Sequence, residues 1–271
     1  MYNNLYTVIT GASEGFGKAL AIECAVRKMN LILVALPESK LNALAESIKQ
    51  TYKVDVIAIE KDLTSEENCH LLFKEVQDLQ LPVNMLINNV GIGSTMLFSE
   101  GSVAFYQKQL KLNVVAITIL TCLFLDILKS NKPSHILNVG SLCSFFFLAK
   151  KQVYGATKSY IYFFSKSLRR ELKSDGINVS VICPGGMNTN AAVMETNQSN
   201  NWLMRMSFMN PDDVAPIAIK GLLNRKEIII PGKLNKLFLI TQKLLPPIIN
   251  EMISNHQMKK LKSISVCQMH K

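Results

Sequence analysis

The stretch Tyr154-Gly155-Ala156-Thr157-Lys158 sets a phenol and an amine four residues apart. On a helix that spacing puts both side chains on one face. A phenol titrates near 10 and is a poor proton donor or acceptor at neutral pH. A neighbouring ammonium favours the phenolate and lowers such a value by about 1 to 3 on the pH scale. The tyrosine then comes within range of general acid–base work. Ser141 stands thirteen residues earlier, with a hydroxyl able to hold a carbonyl oxygen. The chemistry shared by these three residue types is proton transfer at a carbonyl or carbinol. Tyr and Lys at this spacing also recur by accident in helices. The question is therefore which elements bring the serine to the same place.

Seven short apolar runs (5–9, 30–35, 54–59, 83–87, 134–139, 177–182 and 227–230) are rich in Val, Ile and Leu and alternate little with polar residues. Such runs read as strands buried on both faces. Helical patterns lie between them at 15–28, 39–50, 65–79, 103–130 and 153–174. The order implies an α/β fold, a doubly wound parallel sheet with helices on both faces. Ligands in such folds bind beyond the carboxyl ends of the strands. Ser141 follows the run 134–139, and Tyr154 and Lys158 open the helix 153–174, so all three fall at that edge.

The other strand ends carry small or polar residues too. After the first comes Thr10-Gly11-Ala12-Ser13-Glu14-Gly15-Phe16-Gly17, a glycine-rich turn that lets a phosphate approach the backbone and meet a helix N-terminus. After the second come Leu36, Glu38 and Lys40. A dinucleotide enzyme often places there an acid for the ribose of NAD or a base for the extra phosphate of NADP. Leu36 is neither, Glu38 reads as a ribose acceptor or an early-turn acid of the next helix, and Lys40 as a phosphate partner or a solvated lysine. After the third, Asp62 precedes Leu63 and either meets an adenine or caps a helix starting near Thr64. After the fourth come Asn88-Asn89-Val90-Gly91-Ile92-Gly93, and after the sixth Pro184-Gly185-Gly186-Met187-Asn188-Thr189. The paired amides suit side chains that stitch strands together.

Composition narrows the class. The chain has 271 residues, 48% hydrophobic and 18% charged, with no linker-like stretch, which implies one domain with a core that is stable without disulfides. The six scattered cysteines form no CxxC pair, which speaks against a metal site or disulfide framework and for reduced thiols in a cytoplasmic protein. The first strand begins almost at once, leaving no room for a signal peptide, and no apolar run approaches the roughly 20 residues of a membrane span. The net charge is +10, and from Gly232 onward seven lysines face one acid. No aromatic-studded basic strand or recognition helix accompanies the charge, so nucleic acid is not the expected partner.

Taken together these motifs resemble the short-chain dehydrogenases/reductases, over about residues 4–190. The resemblance rests on Thr10 to Gly17, Asn88 to Gly91, the set Ser141, Tyr154 and Lys158, Pro184 to Thr189, and Asn113 within Lys111-Leu112-Asn113-Val114. It implies a Rossmann-type catalytic domain over 1–232 and an NAD(P)(H)-dependent exchange between a carbonyl and a secondary alcohol. Tyr154 is then the acid in reduction and the base in oxidation. Lys158 lowers its pKa and bonds the nicotinamide ribose, Ser141 orients the substrate oxygen, and Asn113 holds a water of the proton relay. The cofactor residues by resemblance are Gly11, Ser13, Gly15, Phe16, Gly17, Leu36, Lys40, Asp62, Leu63, Asn89, Val90, Gly91, Tyr154, Lys158, Pro184, Gly185, Met187 and Thr189. An acid at the end of the second strand would repel the 2′-phosphate, and Leu36 stands there instead, which favours NADP(H) while leaving NAD(H) open. Segment 186–210 reads as a substrate lid rich in methionine, and Phe145, Phe146, Phe147 and Leu148 add apolar surface. These favour a lipophilic substrate of fatty-acyl, steroid-like or other hydrophobic ketone type. The pattern is nearest to the 3-oxoacyl and 17β-hydroxysteroid reductases. Helices 103–130 and 153–174 supply the usual surfaces of a homodimer or homotetramer. The extension 233–271 reads as two basic amphipathic helices broken at Pro246-Pro247, covering the pocket or lying on an anionic membrane. The competing readings are a non-catalytic dinucleotide sensor and a nucleotide-sugar epimerase or dehydratase.

Overall fold

Each of the seven apolar runs overlaps a strand, and all seven strands lie parallel in one sheet. The computed structural model describes residues 4–189, 205 and 207–244. The strands are β1 (Tyr6–Thr10), β2 (Asn30–Ala35), β3 (Val56–Glu60), β4 (Val83–Asn88), β5 (Ser134–Val139), β6 (Ile177–Ile182) and β7 (Ile228–Ile229). Their spatial order is β3-β2-β1-β4-β5-β6-β7. The chain therefore winds outward in one direction from β1 and returns to wind in the other from β4. The crevice between β1 and β4 is the switch point at which such sheets bind ligands.

The helices are α1 (Gly15–Val26), α2 (Leu41–Tyr52), α3 (Glu66–Asp78), α4 (Val103–Leu110), α5 (Ile117–Ser130), α6 (Gln152–Glu171), α7 (Pro211–Leu223) and α8 (Lys233–Leu244). They cover both faces of the sheet, which is why the strands lack polar alternation. Ile9, Leu31, Leu33, Met85, Ile87 and Leu137 point into one core beneath α1 and α7. Val8, Ile32, Val34, Leu86, Ile136 and Val179 point into the other, beneath α3 and α5. Phe124 of α5 is fully buried there and meets Phe73 edge-on at 5.3 Å. Truncating such a ring to alanine costs about 3–5 kcal/mol. On the first face α1 and α7 contribute small residues to the same core: Ala21, Cys24 and Ala25 from one, Ala215 and Ala218 from the other. The sequence reading passed over α7.

Three expectations are corrected. The pattern 103–130 is not one regular α-helix: a π-helical turn, Lys111–Ala116, separates α4 from α5. The reading that no apolar run nears a membrane-spanning length also fails. Val103–Ser130 is long and apolar enough by length and composition. Its sheet-facing side is core, where Ile117, Leu120, Phe124 and Leu128 are all fully buried. Finally, Glu38 is not an early-turn acid: it precedes α2, whose first turn holds no acid.

The amino end of the sheet carries a buried titratable group remote from the strand ends of interest. His135 of β5 is 4% exposed, and its Nδ1 lies 3.3 Å from the Asn178 carboxamide nitrogen. Burial first, then the charge of Arg225, pushes its pKa down to about 4 from 6.5. The unfolded chain therefore binds a proton between pH 6.5 and 4 that the folded chain refuses. The stability concerned is complete above pH 6.5 and is lost as pH falls toward 4, at up to about 1.4 kcal/mol per pH unit. Thermal melts of the parent and of His135→Asn from pH 7.5 to 4.5 should diverge in slope, the variant losing less Tm on acidification. Parallel curves would show that His135 does not carry this dependence.

Candidate active site

The turn after β1 is held open by glycine. Gly11 has φ +65°, and a Cβ on Gly17 would lie 1.9 Å from the Gly11 carbonyl oxygen. No larger residue fits at Gly17. The N-cap residue of α1, Glu14, makes no side-chain cap bond, and the first turn of the helix holds no acid. Its backbone N–H groups are thus uncapped by side chains, as a diphosphate requires. Gly15, with φ +52°, faces the Thr189 side chain across the turn, and Ser13 lies half-buried beside it. Phe16 is 5% exposed and belongs to the core, so only its backbone faces the turn.

Asn89 fastens the turn to the end of β4. Its Nδ2 donates to the carbonyls of Thr10 (2.9 Å) and Gly11 (3.0 Å), while the Thr10 hydroxyl accepts from the N–H groups of Asn89 and Val90 at 3.1 Å. Asn88 points inward instead. It donates to Thr121 and to Asn138, which in turn donates to Ser165, so one buried polar row links α5, β4, β5 and α6. The paired amides therefore do stitch the strands, with one facing the ligand edge and one the core.

Ser141, Tyr154, Lys158 and Asn113 converge at the end of β5. The Ser141 hydroxyl is close enough to the Tyr154 phenol to act on it, lowering its pKa against the burial that raises it. Lys158 is 5% exposed and donates to the Val139 carbonyl at 2.8 Å, with its ammonium 5.7 Å from the centre of the Tyr154 ring. Asn113 sits in the π turn, fully buried. Its carboxamide grips both backbone groups of Ile92 (2.9 and 3.0 Å) and donates to Thr157 at 3.1 Å. Thr157 donates to the Tyr154 carbonyl, so the turn and α6 lock together. Gly91 passes close enough that a Cβ there would lie 2.8 Å from Asn113 Oδ1 and 3.7 Å from Lys158 Nζ. Burial, with the Cys143 thiol second, holds the Tyr154 phenol above its ordinary value. Burial also pushes Lys158 down to about 8. The Lys158 ammonium turns to the Val139 carbonyl, and burial is the largest influence on both groups.

The remaining residues line the same edge. Leu36 is 50% exposed, and Lys40 is exposed with φ +59° at the start of α2. Between them Ser39 has a buried Oγ with no hydrogen-bond partner. Sequence reading missed it, because nothing but burial singles out one serine. Asp62 accepts from Thr64 N at 3.0 Å, but α3 begins at Glu66 and is capped by Ser65, so Asp62 is not its cap. Leu63 is 4% exposed and offers only backbone. Pro184 accepts from Leu142 N at 2.8 Å, and Met187 pairs with Met209 in an isolated parallel bridge. Gly185 rests on Asn235 of α8, which is 2% exposed and donates to the carbonyls of Ser207 and Pro231. The extension thus starts as part of the site's floor. Most of the expected lid, residues 190–204 and 206, lies outside the described residues, as do residues from 245 onward, Pro246 and Pro247 included. Among the described residues no cluster has metal-ligand character. Phe147 is 92% exposed, in the loop between Ser141 and α6.

A family model of the short chain dehydrogenases matches residues 6–200. The ketoacyl reductase HetN of Nostoc sp. is 29% identical over 223 residues, which cover 82% of this chain and 77% of that protein. The 17-beta-hydroxysteroid dehydrogenase type 3 of Homo sapiens is 30% identical over 186 residues, 68% of this chain and 59% of that one. The solved structure of a short-chain dehydrogenase from Sphingobium yanoikuyae in complex with NADPH superposes with a TM-score of 0.75 at 26% identity, covering 88% of this chain and 94% of its own.

Lys158 carries a testable tension. Its folded-state value of about 8 lies below the ordinary 10.5, so the unfolded chain holds that proton more tightly. The charged lysine therefore weakens the fold at pH below 8, and the burden lifts as pH rises through 8 toward 10.5. Lys158→Met should melt above the parent at pH 7, by a margin that narrows toward pH 10. A lower Tm at pH 7 would mean that the Val139 hydrogen bond outweighs desolvation.

Proposed function

We propose that this chain, which belongs to the short-chain dehydrogenase family, interconverts a carbonyl and a secondary alcohol on a lipophilic small molecule with NADP(H) as its redox partner. The observation that carries this reading is the convergence of the Ser141 hydroxyl, the Tyr154 phenol and the Lys158 ammonium at one strand end, beside a glycine turn whose helix N–H groups no side chain caps. The dinucleotide, when bound, supplies or accepts the hydride. Gly11, Gly15 and Gly17 would hold its diphosphate, and Asn89, Lys158 and Thr189 would line the rest of its course.

The chain's own groups handle the proton. Ser141 holds the substrate oxygen where the Tyr154 phenol can reach it. In reduction the phenol gives its proton to that oxygen, and in oxidation the phenolate takes it back. With the phenol above its ordinary value, the acid form dominates at neutral pH, which suits reduction. Lys158 is the cation that steadies the phenolate after the proton leaves.

NADP(H) is favoured by what surrounds β2. The exposed Leu36 raises no repulsion, the first turn of α2 holds no acid, Lys40 is exposed at its start, and the buried Ser39 hydroxyl lacks a partner. A 2′-phosphate would satisfy that hydroxyl. The lipophilic preference draws on Phe145, Phe146 and the exposed Phe147, and on the ketoacyl and steroid substrates in the names of the two relatives. A self-association surface is supported on α5 and α6. There Phe163 is 65% and Tyr160 38% exposed, with Tyr160 stacked on Phe164 and bonded to Thr118.

Three experiments address these readings. Fluorescence titration should show NADPH binding at least tenfold tighter than NADH, and Ser39→Ala narrowing that ratio. Tyr154→Phe should keep NADPH affinity while losing about 100-fold or more of carbonyl reduction. Unchanged turnover in that variant, or a tenfold preference for NADH, would count against the corresponding part. In light scattering the parent should run as a dimer or tetramer and Phe163→Glu as a smaller species. A monomeric parent would exclude the pairing.

A further inference from the structure

Helix α8 has two faces in different company. Asn235 and Leu239 turn inward, and Asn235 supports Gly185 in the loop after β6. On the other side Leu237 and Ile240 are 52% and 55% exposed, with Lys233 and Lys236 exposed beside them. The pairs 233–236, 233–237, 236–240 and 237–240 are all three or four residues apart, so the four side chains form one closed patch on the helix surface. Lysines and aliphatic residues share this patch instead of occupying separate stripes. The positive charge continues along the sequence: α8 holds no acid, and residues 245–271 hold four lysines and one acid.

This mixture limits what can cover the patch. Protein interfaces keep charge away from their centres, whereas here Lys233 lies between Leu237 and Ile240 around the helix axis. A second copy of the chain would set these lysines against themselves across a two-fold axis. The chain's own continuation is net positive and would meet the same repulsion. An anionic bilayer suits all four side chains at once. Leucine and isoleucine can enter the acyl boundary, while each lysine lays its methylene stem along the apolar surface and keeps its ammonium among the headgroups. We propose that α8 docks this protein on an anionic membrane surface through Leu237, Ile240, Lys233 and Lys236. The helix lies in the interfacial plane, and its opposite face remains the support beneath Gly185. Docking then holds the site beside the phase in which a lipophilic substrate concentrates, although the docking itself does not depend on the catalytic reading.

Co-sedimentation of the full chain with vesicles, without substrate or cofactor, tests this. The parent should bind phosphatidylcholine vesicles containing phosphatidylglycerol about tenfold or more tighter than pure phosphatidylcholine vesicles, and the difference should shrink as salt is raised. Joint substitution Leu237→Ser and Ile240→Ser should weaken anionic binding about tenfold. Joint substitution Lys233→Gln and Lys236→Gln should weaken it by about the same factor and flatten its salt dependence. If the serine pair melts well below the parent, Leu237→Ala with Ile240→Ala gives the same comparison. No binding to the anionic vesicles, or equal binding to both kinds, would overturn the proposal. So would anionic binding that survives both pairs of substitutions, because the lysine-rich sequence 245–271 would then carry it without α8. Light scattering in which the serine pair converts a dimer to a monomer, with vesicle binding unchanged, would assign the patch to a second copy and overturn it too.

Discussion

The Lys158 ammonium lies inside the protein with a backbone carbonyl, not a carboxylate, as its partner. An ion in that situation stays in place only if the chain around it cannot relax. The structure meets this by fastening α6 to the sheet at several points. Asn138 of β5 donates to Ser165, the Ser144 hydroxyl donates to the Lys158 carbonyl, Ser159 donates back to Ser144, and Thr157 takes the Asn113 carboxamide. Each bond is modest, about 1 kcal/mol net. Their common effect is to fix the axis on which the phenol and the ammonium are mounted. The parallel sheet sets the rest, since it delivers β1, β4 and β5 to one edge with the glycine turn, the Asn89 clasp and Ser141 at their ends.

Among the described residues, the buried side-chain polar atoms left without partners share one side of the molecule. Asn88 Oδ1 is at the end of β4, Ser39 Oγ follows β2, Gln109 Oε1 belongs to a side chain bonded to Ile92 beyond β4, and Asn235 Oδ1 belongs to a side chain packed on Gly185 beyond β6. All four lie toward the carboxyl edge of the sheet. At the amino end, by contrast, Asn178, Ser180 and Arg169 are bonded to neighbouring carbonyls. Unsatisfied groups weaken a fold, and here they gather at the strand ends that carry the site, Asn88 on the core side of them.

The sheet was legible in the sequence because strands covered on both faces are mostly apolar without regular polar alternation, and the runs from 30–35 to 177–182 are of that kind. The Tyr154–Lys158 pair was legible because helical spacing fixes a shared face, and the family match over 6–200 agrees with the motifs that suggested it. Other features depend on tertiary context. Helix α7 opens with a proline and two acids in its first turn, a recognisable start, but Pro216 five residues later disguises its continuation. Ser39 and Asn235 look like ordinary polar residues until burial removes their water. Lys151 reads as surface lysine beside Lys150, and only the ring of Tyr154 beneath its head distinguishes it. The direction in which Lys158 turns could not be read either, because its acceptor is main chain.

The π turn at Lys111–Ala116 has an evolutionary corollary. One surplus residue in a helix advances everything after it by about 100° around the axis. Asn113 reaches Ile92 on one side of that surplus, while Leu120, Phe124 and Leu128 reach the sheet on the other. Losing a single codon here would rewind the helix to regular α and leave one set or the other facing the wrong way. The segment can therefore drift by substitution but is closed to insertion and deletion, and its length should prove more invariant across relatives than its composition.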